Sequence, residues 1–360
     1  MTSFKNAILL CGEELEAVKG YVVVEDGRIK EVGEGRCPIK RATDLKRGIV
    51  FPAFTNAHTH LGDAVAQDLG VYEGIEKRVG PKGLKFSVLK AKKRELSSGM
   101  RWAARELLDY GTTAFCDFRE SGIEGVELLR SSLNNLLDAV ILGRPNDDDI
   151  HALLKVCHGI GISGIADYSL NEMKGITRAV KKEGKLLGIH VAEVEEDVEA
   201  AVKLKPSFMV HLTNPGEDGL QVIQESNIPL VLCPRANAVL GAGMPRIKEL
   251  MESNLVALGT DNVMINSLNM FREMEFAFKI ARGLSRDPTI SGRDVLRAAT
   301  LNGRKILGLD SNAIEEGKEA NFIILGRRKY LYDPIVAILH RYEAGDIRGI
   351  VKGERVLRLR

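Results

Sequence analysis

Cysteine is scarce and unpaired: Cys11, Cys37, Cys116, Cys157 and Cys233 are widely spaced, odd in number and form no Cys-x-x-Cys. This disfavours a disulfide framework and predicts reduced, mostly buried thiols. No apolar run approaches the roughly 18 residues that cross a bilayer, so no membrane partner is expected. Met1 to Leu10 lacks the charged-then-apolar layout of a secretory leader, and a cytoplasmic location is the expectation. Charge of one sign is missing as well. Lysine plus arginine number 51 against 49 aspartate plus glutamate, a net +2 without the basic excess of an obligatory nucleic-acid binder. Glutamine is confined to Gln67, Gln221 and Gln224 while Lys, Arg and Glu abound, a balance common in heat-adapted proteins. No internal repeat is present, and no Gly-x-Gly-x-x-Gly follows an early strand to mark a dinucleotide site.

What is present is ordered alternation. The 360 residues, 44% of them hydrophobic, suffice for one large domain and a small accessory one. Near-continuous apolar strands are read at Thr112 to Phe118, Asp138 to Arg144, Gly159 to Asp167 and Leu186 to Ala192. Three more follow at Ser207 to Thr213, Ile228 to Pro234 and Leu255 to Asp261. Helical stretches such as Glu95 to Tyr110, Glu195 to Leu204 and Pro245 to Ser253 separate them. The run Gly48 to Phe54, which closes on His58-Thr59-His60, makes eight units. That pattern predicts an α/β fold, a (β/α)8 TIM-like barrel over 49–312, with an open doubly wound sheet as the alternative. The flanks, 1–48 and 313–360, read as hairpins. Ala17 to Val32 turns at Asp26-Gly27, and Asn321 to Leu325 with Ile347 to Leu357 has a turn at Lys352-Gly353-Glu354. Neither end can bury itself alone, so a small β-sandwich domain built from both termini is expected.

Chemistry collects at the strand ends. His58 and His60 are two apart and share a strand face. His190 ends the fifth strand, His211 the sixth and Asp261 the eighth. All sit at carboxyl ends, where barrel enzymes gather catalytic groups. Three imidazoles and one carboxylate make a site for one divalent metal, Zn2+ or Fe2+, with a position left for water. A second metal needs a bridge, often a carboxylated lysine on the fourth strand. Gly159 to Asp167 contains no lysine, and Lys174 beyond it reads as solvated. One metal is expected.

Pro52 to His60, His190 to Glu193, Leu232-Cys233-Pro234-Arg235-Ala236-Asn237 and Gly259-Thr260-Asp261 together resemble the amidohydrolase superfamily. The resemblance covers nearly the whole chain and lies in the branch of cytosine deaminase, S-adenosylhomocysteine deaminase and the triazine chlorohydrolases. It implies a metal held by His58, His60, His190 and Asp261, with Glu193 as proton shuttle and His211 orienting the attacking water. Relatives carry serine where this chain has Ala236, and the loop Leu61 to Phe86 departs from the better-known deaminases. The implied reaction is hydroxide attack on an amidine-like carbon of a heterocyclic amine: a purine, pyrimidine, pterin or nucleoside-like small molecule. Glu193 stands three residues past His190, so strand alternation aims it away and it must curl back from the following loop. Glu195 and Glu196 suit the start of the next helix better. Hydrolysis of a cyclic amide or imidazolone at the same site is the alternative chemistry, and a metal-binding non-catalytic barrel the alternative class.

Substrate contacts are read from position alone. Arg119, Arg144 and Arg235 follow the second, third and seventh strands and together would clamp an anion, unless Arg119 is spent on Glu120 or Asp117. Gln67, Asp68 and Asn237 are further candidates, and Ser267 to Ala277 is expected over one edge of the mouth, with Glu273 structural. His151, His158 and His340 read as structural or exposed. Cys233 lacks the Pro-Cys-x-x-Cys of the small zinc nucleoside deaminases and reads as packing. A homo-oligomer is a general expectation for such an enzyme.

Overall fold

Pro52 divides the apolar run that leads to the histidine pair. In the computed structural model, which describes residues 1–80, 82–88, 90, 92–146 and 149–359, Thr43–Pro52 belongs to a sheet built from the chain ends. The first barrel strand starts only at Phe54 and runs to His60. The run Gly48 to Phe54 is therefore shared between two sheets, and a boundary at 48/49 cuts through a strand of the terminal one. Pro81, in the divergent loop, lies outside the described residues.

The terminal sheet has seven strands, in the order Arg355–Leu359, Ile347–Lys352, Asn321–Leu325, Thr43–Pro52, Thr2–Cys11, Glu16–Glu25, Arg28–Glu34. Both hairpins form where the Asp-Gly and Lys-Gly-Glu turns place them. Thr2–Cys11, whose pattern the sequence reading passed over, joins the two ends by pairing parallel with Thr43–Pro52. The sheet curls on itself so that Phe4 meets Phe322 edge-on at 5.9 Å and Ile29 N donates to Lys318 O at 2.8 Å. A sandwich-like core thus arises from one wrapped sheet.

In the barrel, Phe54–His60 is followed in sequence order by Thr112–Arg119, Asp138–Gly143, Gly159–Ile162, Leu186–Val191, Phe208–His211 and Leu230–Leu232, all parallel. Several strands are shorter than their apolar runs. The fourth stops at Ile162, before a 3-10 turn at Ile165–Asp167. The seventh stops at Leu232 because Pro234, preset for a first helical turn, opens the helix Pro234–Leu240. Ser267 to Ala277 does not cover the mouth: Asn269 accepts from Phe271 N and Arg272 N to cap the helix Met270–Ser285. That helix packs on the barrel's outer side, where Phe271 meets Phe54 at 4.9 Å. The helix Lys93–Asp109 buries Leu96, Met100, Ala103, Ala104 and Leu107 along one stripe. Among the described residues no helix is long and apolar enough to cross a membrane.

Closure depends on a break. The eighth strand is two pieces: Val256–Leu258 pairs with the seventh strand and Asp261–Asn262 with the first. A Cβ on Gly259 would lie 2.8 Å from His58 N, so only glycine allows the two strands this approach. Across the break Asn56 Nδ2 donates to Thr260 Oγ1 at 2.7 Å, and Thr260 N donates to Asn56 Oδ1 at 2.9 Å. Both residues are fully buried. Asn56→Ala leaves Thr260 N and Oγ1 without partners and is expected to cost about 2–6 kcal/mol, at about 1–3 kcal/mol for each buried group. Urea unfolding measures it; a loss below about 0.5 kcal/mol would show that the break holds without the side chain.

Candidate metal centre

Four strand ends bring their donors to one point. His58 Nε2 lies 3.2 Å from His190 Nε2 and 3.2 Å from Asp261 Oδ1, and His60 Nε2 lies 3.4 Å from the same carboxylate oxygen. Donors held 2.0–2.1 Å from one zinc ion at tetrahedral angles stand about 3.3 Å apart. The groups His58–His60–His190 and His58–His211–Asp261 each have the spacing of a metal set, and all five residues are buried.

Partners behind the rings decide which nitrogens face inward. His190 Nδ1 donates to Ile162 O at 2.6 Å and His60 Nδ1 to Glu120 Oε1 at 3.1 Å, which leaves both Nε2 atoms as bare lone pairs. Burial lowers all three imidazoles, His60 to about 3 with Lys85 adding to the effect, so they are neutral. Burial alone would raise Asp261, but the His58 hydrogen bond and the imidazoles around it hold the carboxyl well below its usual range. Lone pairs facing one another at these distances repel unless a cation lies between them. His58 Nε2, in contact with two of them, has at most one proton to share. The residues fit a divalent cation.

Local backbone aims these groups. Ala192, His211, Leu212 and Asp261 all have positive φ, 50°, 77°, 59° and 59°. For non-glycine residues this is strained, costing about 1–3 kcal/mol each. Beneath the cluster Phe118 meets His58 at 4.5 Å and His190 at 5.0 Å, both edge-on. A Cβ on Gly188 would lie 2.6 Å from the Phe118 ring. Glu193 sits in the loop after the fifth strand, its Oε2 3.7 Å from His211 Nε2, and burial raises its pKa. His211 in turn is held through Nδ1 by Asn237 Oδ1 at 2.9 Å.

A cavity of about 460 Å3 opens from His190 and Glu193. Ile75, Val79 and Phe86 of the 61–88 segment form its apolar side; Arg144, Ser163 and Tyr168 form a polar one. The three arginines do not converge on it. Arg119 is buried, with its guanidinium on Asp117 and Glu120. Arg235 is spent on Glu273, on Asn266 Oδ1 and on the carbonyls of Ser267 and Asn269. Only Arg144 reaches the cavity, 3.5 Å from Glu120. Gln67 is exposed beyond the 3-10 turn Leu61–Ala66, and Asn237 is buried behind His211 rather than facing a ligand. His158 accepts from Ile141 N and His340 packs on Phe278.

Three groups beside the centre were not anticipated: Glu120, Asp63 and Lys85, all buried. Glu120 follows Arg119 at a strand end, so the rule that found His190 would have found it. Lys85 belongs to the short helix Leu84–Val88 and carries no local sign of its position.

A model of the amidohydrolase family matches residues 49–356. The chain belongs to that family. This amidohydrolase is 36% identical to a putative aminohydrolase of Methanothermobacter thermautotrophicus, over 99% of this chain and 100% of the relative. It is 26% identical to a 5-methylthioadenosine/S-adenosylhomocysteine deaminase of Pyrococcus furiosus, over 98% and 94%. In fold it is similar to the zinc-complexed atrazine chlorohydrolase of Arthrobacter aurescens, with TM-score 0.83 at 15% identity over 100% and 95% of the two chains.

Glu273 gives a pH test of the packing behind Arg235. Burial, against the pull of Arg235, raises its carboxyl to about 7. The folded amidohydrolase then keeps a proton that the unfolded chain has lost above about 4.5, so stability falls as pH rises from about 4.5 to about 7 and levels off beyond. Glu273→Gln removes that slope. Its stability relative to the parent is expected to improve by on the order of 2 kcal/mol between pH 5 and pH 8, read from melting temperatures. A constant difference would show that Glu273 is ionised throughout.

Proposed function

We propose that this amidohydrolase is a zinc-dependent deaminase of a 6-aminopurine nucleoside or a close heterocyclic analogue, with His58, His60, His190 and Asp261 holding one metal ion. The observation that carries the reading is the convergence of those donors at 3.2–3.4 Å with Glu193 across from them, at the edge of a ligand-sized cavity. His58, His60, His190 and Asp261 would hold a divalent cation, which would lower the pKa of water to about 7 and so supply a nucleophile at neutral pH. Ionised Asp261 accepts the proton of the attacking water and later passes it to departing ammonia. Glu193, whose carboxyl burial raises above its usual pKa, donates to the ring nitrogen next to the attacked carbon. His211, fixed by Asn237, orients the water.

The cavity of about 460 Å3 lies in the range that encloses a ligand larger than a bare ring. The deaminase names of the relatives agree with a small-molecule substrate of nucleoside size.

Metal analysis coupled to an ammonia-release screen over aminopurine nucleosides, aminopyrimidines and pterins tests the reading. Glu193→Gln is expected to lower kcat by about 10²–10⁴-fold with metal retained, and Asp261→Asn to lose turnover and weaken metal binding. Ring-opened product without ammonia would instead assign a cyclic-amide hydrolase. Stoichiometric metal without turnover would assign a scaffold.

A further inference from the structure

Lys85 enters the centre from outside the barrel strands. Its helix, Leu84–Val88, belongs to the 61–88 segment that walls the cavity, yet its side chain is 4% exposed. The ammonium contacts Glu120 Oε1, lies 3.1 Å from Asp63 Oδ2 and stands 3.4 Å from His60 Nδ1. Two short hydrogen-bonded chains start from it. Glu120 Oε1 accepts from His60 Nδ1 at 3.1 Å, the bond that turns His60 Nε2 inward. Asp63 Oδ2 accepts from Asn262 Nδ2 at 2.6 Å, and Asn262 follows Asp261 in the strand piece paired with His60. One side chain of the segment is thus bonded toward two of the four proposed metal ligands, on the first and eighth strands.

Charge explains why it is placed there. Lys85, Arg119 and Arg144 face Asp63, Asp117 and Glu120 in a buried cluster with no net charge. Without Lys85 one buried carboxylate has no counter-charge, and such a group must shift or take up a proton. Glu120 already has Arg119 on Oε2 and Arg144 3.5 Å from Oε1, so it would swing toward them and release His60. Asp63, whose Oδ1 has no hydrogen-bond partner, would keep only Asn262.

We propose that Lys85 is a positioning residue that couples docking of the 61–88 segment to metal affinity, a role that rests on the metal reading above. Coupling is reciprocal: if the docked lysine raises affinity for the ion, the bound ion holds the segment down by the same factor.

The test measures zinc dissociation constants by competition with a chromophoric chelator, and hydrogen exchange of residues 84–88 with and without zinc. Lys85→Met is expected to weaken zinc binding about 10–100-fold, as loss of a partner behind a ligand does. Lys85→Arg recovers most of it. Lys352→Met, which removes another buried cation, one of the terminal sheet that pairs with Asp138 of the third barrel strand, leaves zinc affinity within about twofold. Removing zinc from the parent protein speeds exchange at 84–88, whereas Lys85→Met exchanges fast in both states. Zinc affinity of Lys85→Met within about twofold of the parent, or exchange at 84–88 that ignores zinc, overturns the proposal. A parent protein that binds no zinc overturns the metal reading and this one with it. If Lys85→Met does not fold, Lys85→Arg and exchange in the parent decide: full loss of affinity with arginine, or no zinc effect on exchange, rejects the coupling.

Discussion

The junction between the first and eighth strands is the constraint from which the site follows. A parallel barrel closes only if its last strand pairs with its first, and here the last strand must also turn a carboxylate inward. The chain meets both demands by breaking that strand at Gly259-Thr260. The seventh strand takes Val256–Leu258, the first takes Asp261–Asn262, and Asn56 replaces the ladder bonds lost between them. The break sets Asp261 at φ 59°, a conformation it would not keep without the surrounding bonds. Because Asn56, His58 and His60 belong to one strand, the residue that seals the barrel and two that bear the site move as one piece.

Behind the donors the arrangement is electrostatic. Buried charges survive only when paired, and breaking a buried pair costs about 3–5 kcal/mol. This is why Arg119 cannot serve a ligand: its guanidinium is shared between Asp117 and Glu120, and Glu120 in turn orients His60. Arg235 is committed in the same way to Glu273. Among the described residues lining the cavity, Arg144 is the one lysine or arginine, beside carboxylates such as Asp167 and Glu193.

The family and the convergence of the candidate donors were legible in the sequence because both rest on strand ends. A strand's period of two puts His58 and His60 on one face, and parallel pairing aligns the ends where His190, His211 and Asp261 stand. What escaped the reading depended on partners remote in sequence. The division of the Gly48 to Phe54 run is set by Pro52 and by pairing with Asn321–Leu325, some 270 residues away. Asn237 carries a motif that looks like a substrate contact, but its helix turns it toward His211 Nδ1. Lys85 was invisible for a simpler reason. A lysine in a polar loop looks solvated until the fold shows two buried carboxylates around it.

The 61–88 segment links these levels. Val79 borders both the cavity and a small pocket lined by His60, His190, His211, Glu193 and Asp261, so the segment contributes apolar wall beside the donors and Glu193. Burial raises the Glu193 carboxyl and lowers the His60 imidazole, whose Nε2 is left as a lone pair. The same segment supplies Lys85, without which its own dryness would be costly, since drying Glu120 and Asp63 demands a counter-charge. Hydrophobic cover and buried cation are therefore one device: the first shifts the proton affinities of the groups it buries, and the second makes that cover tolerable for the carboxylates beneath it.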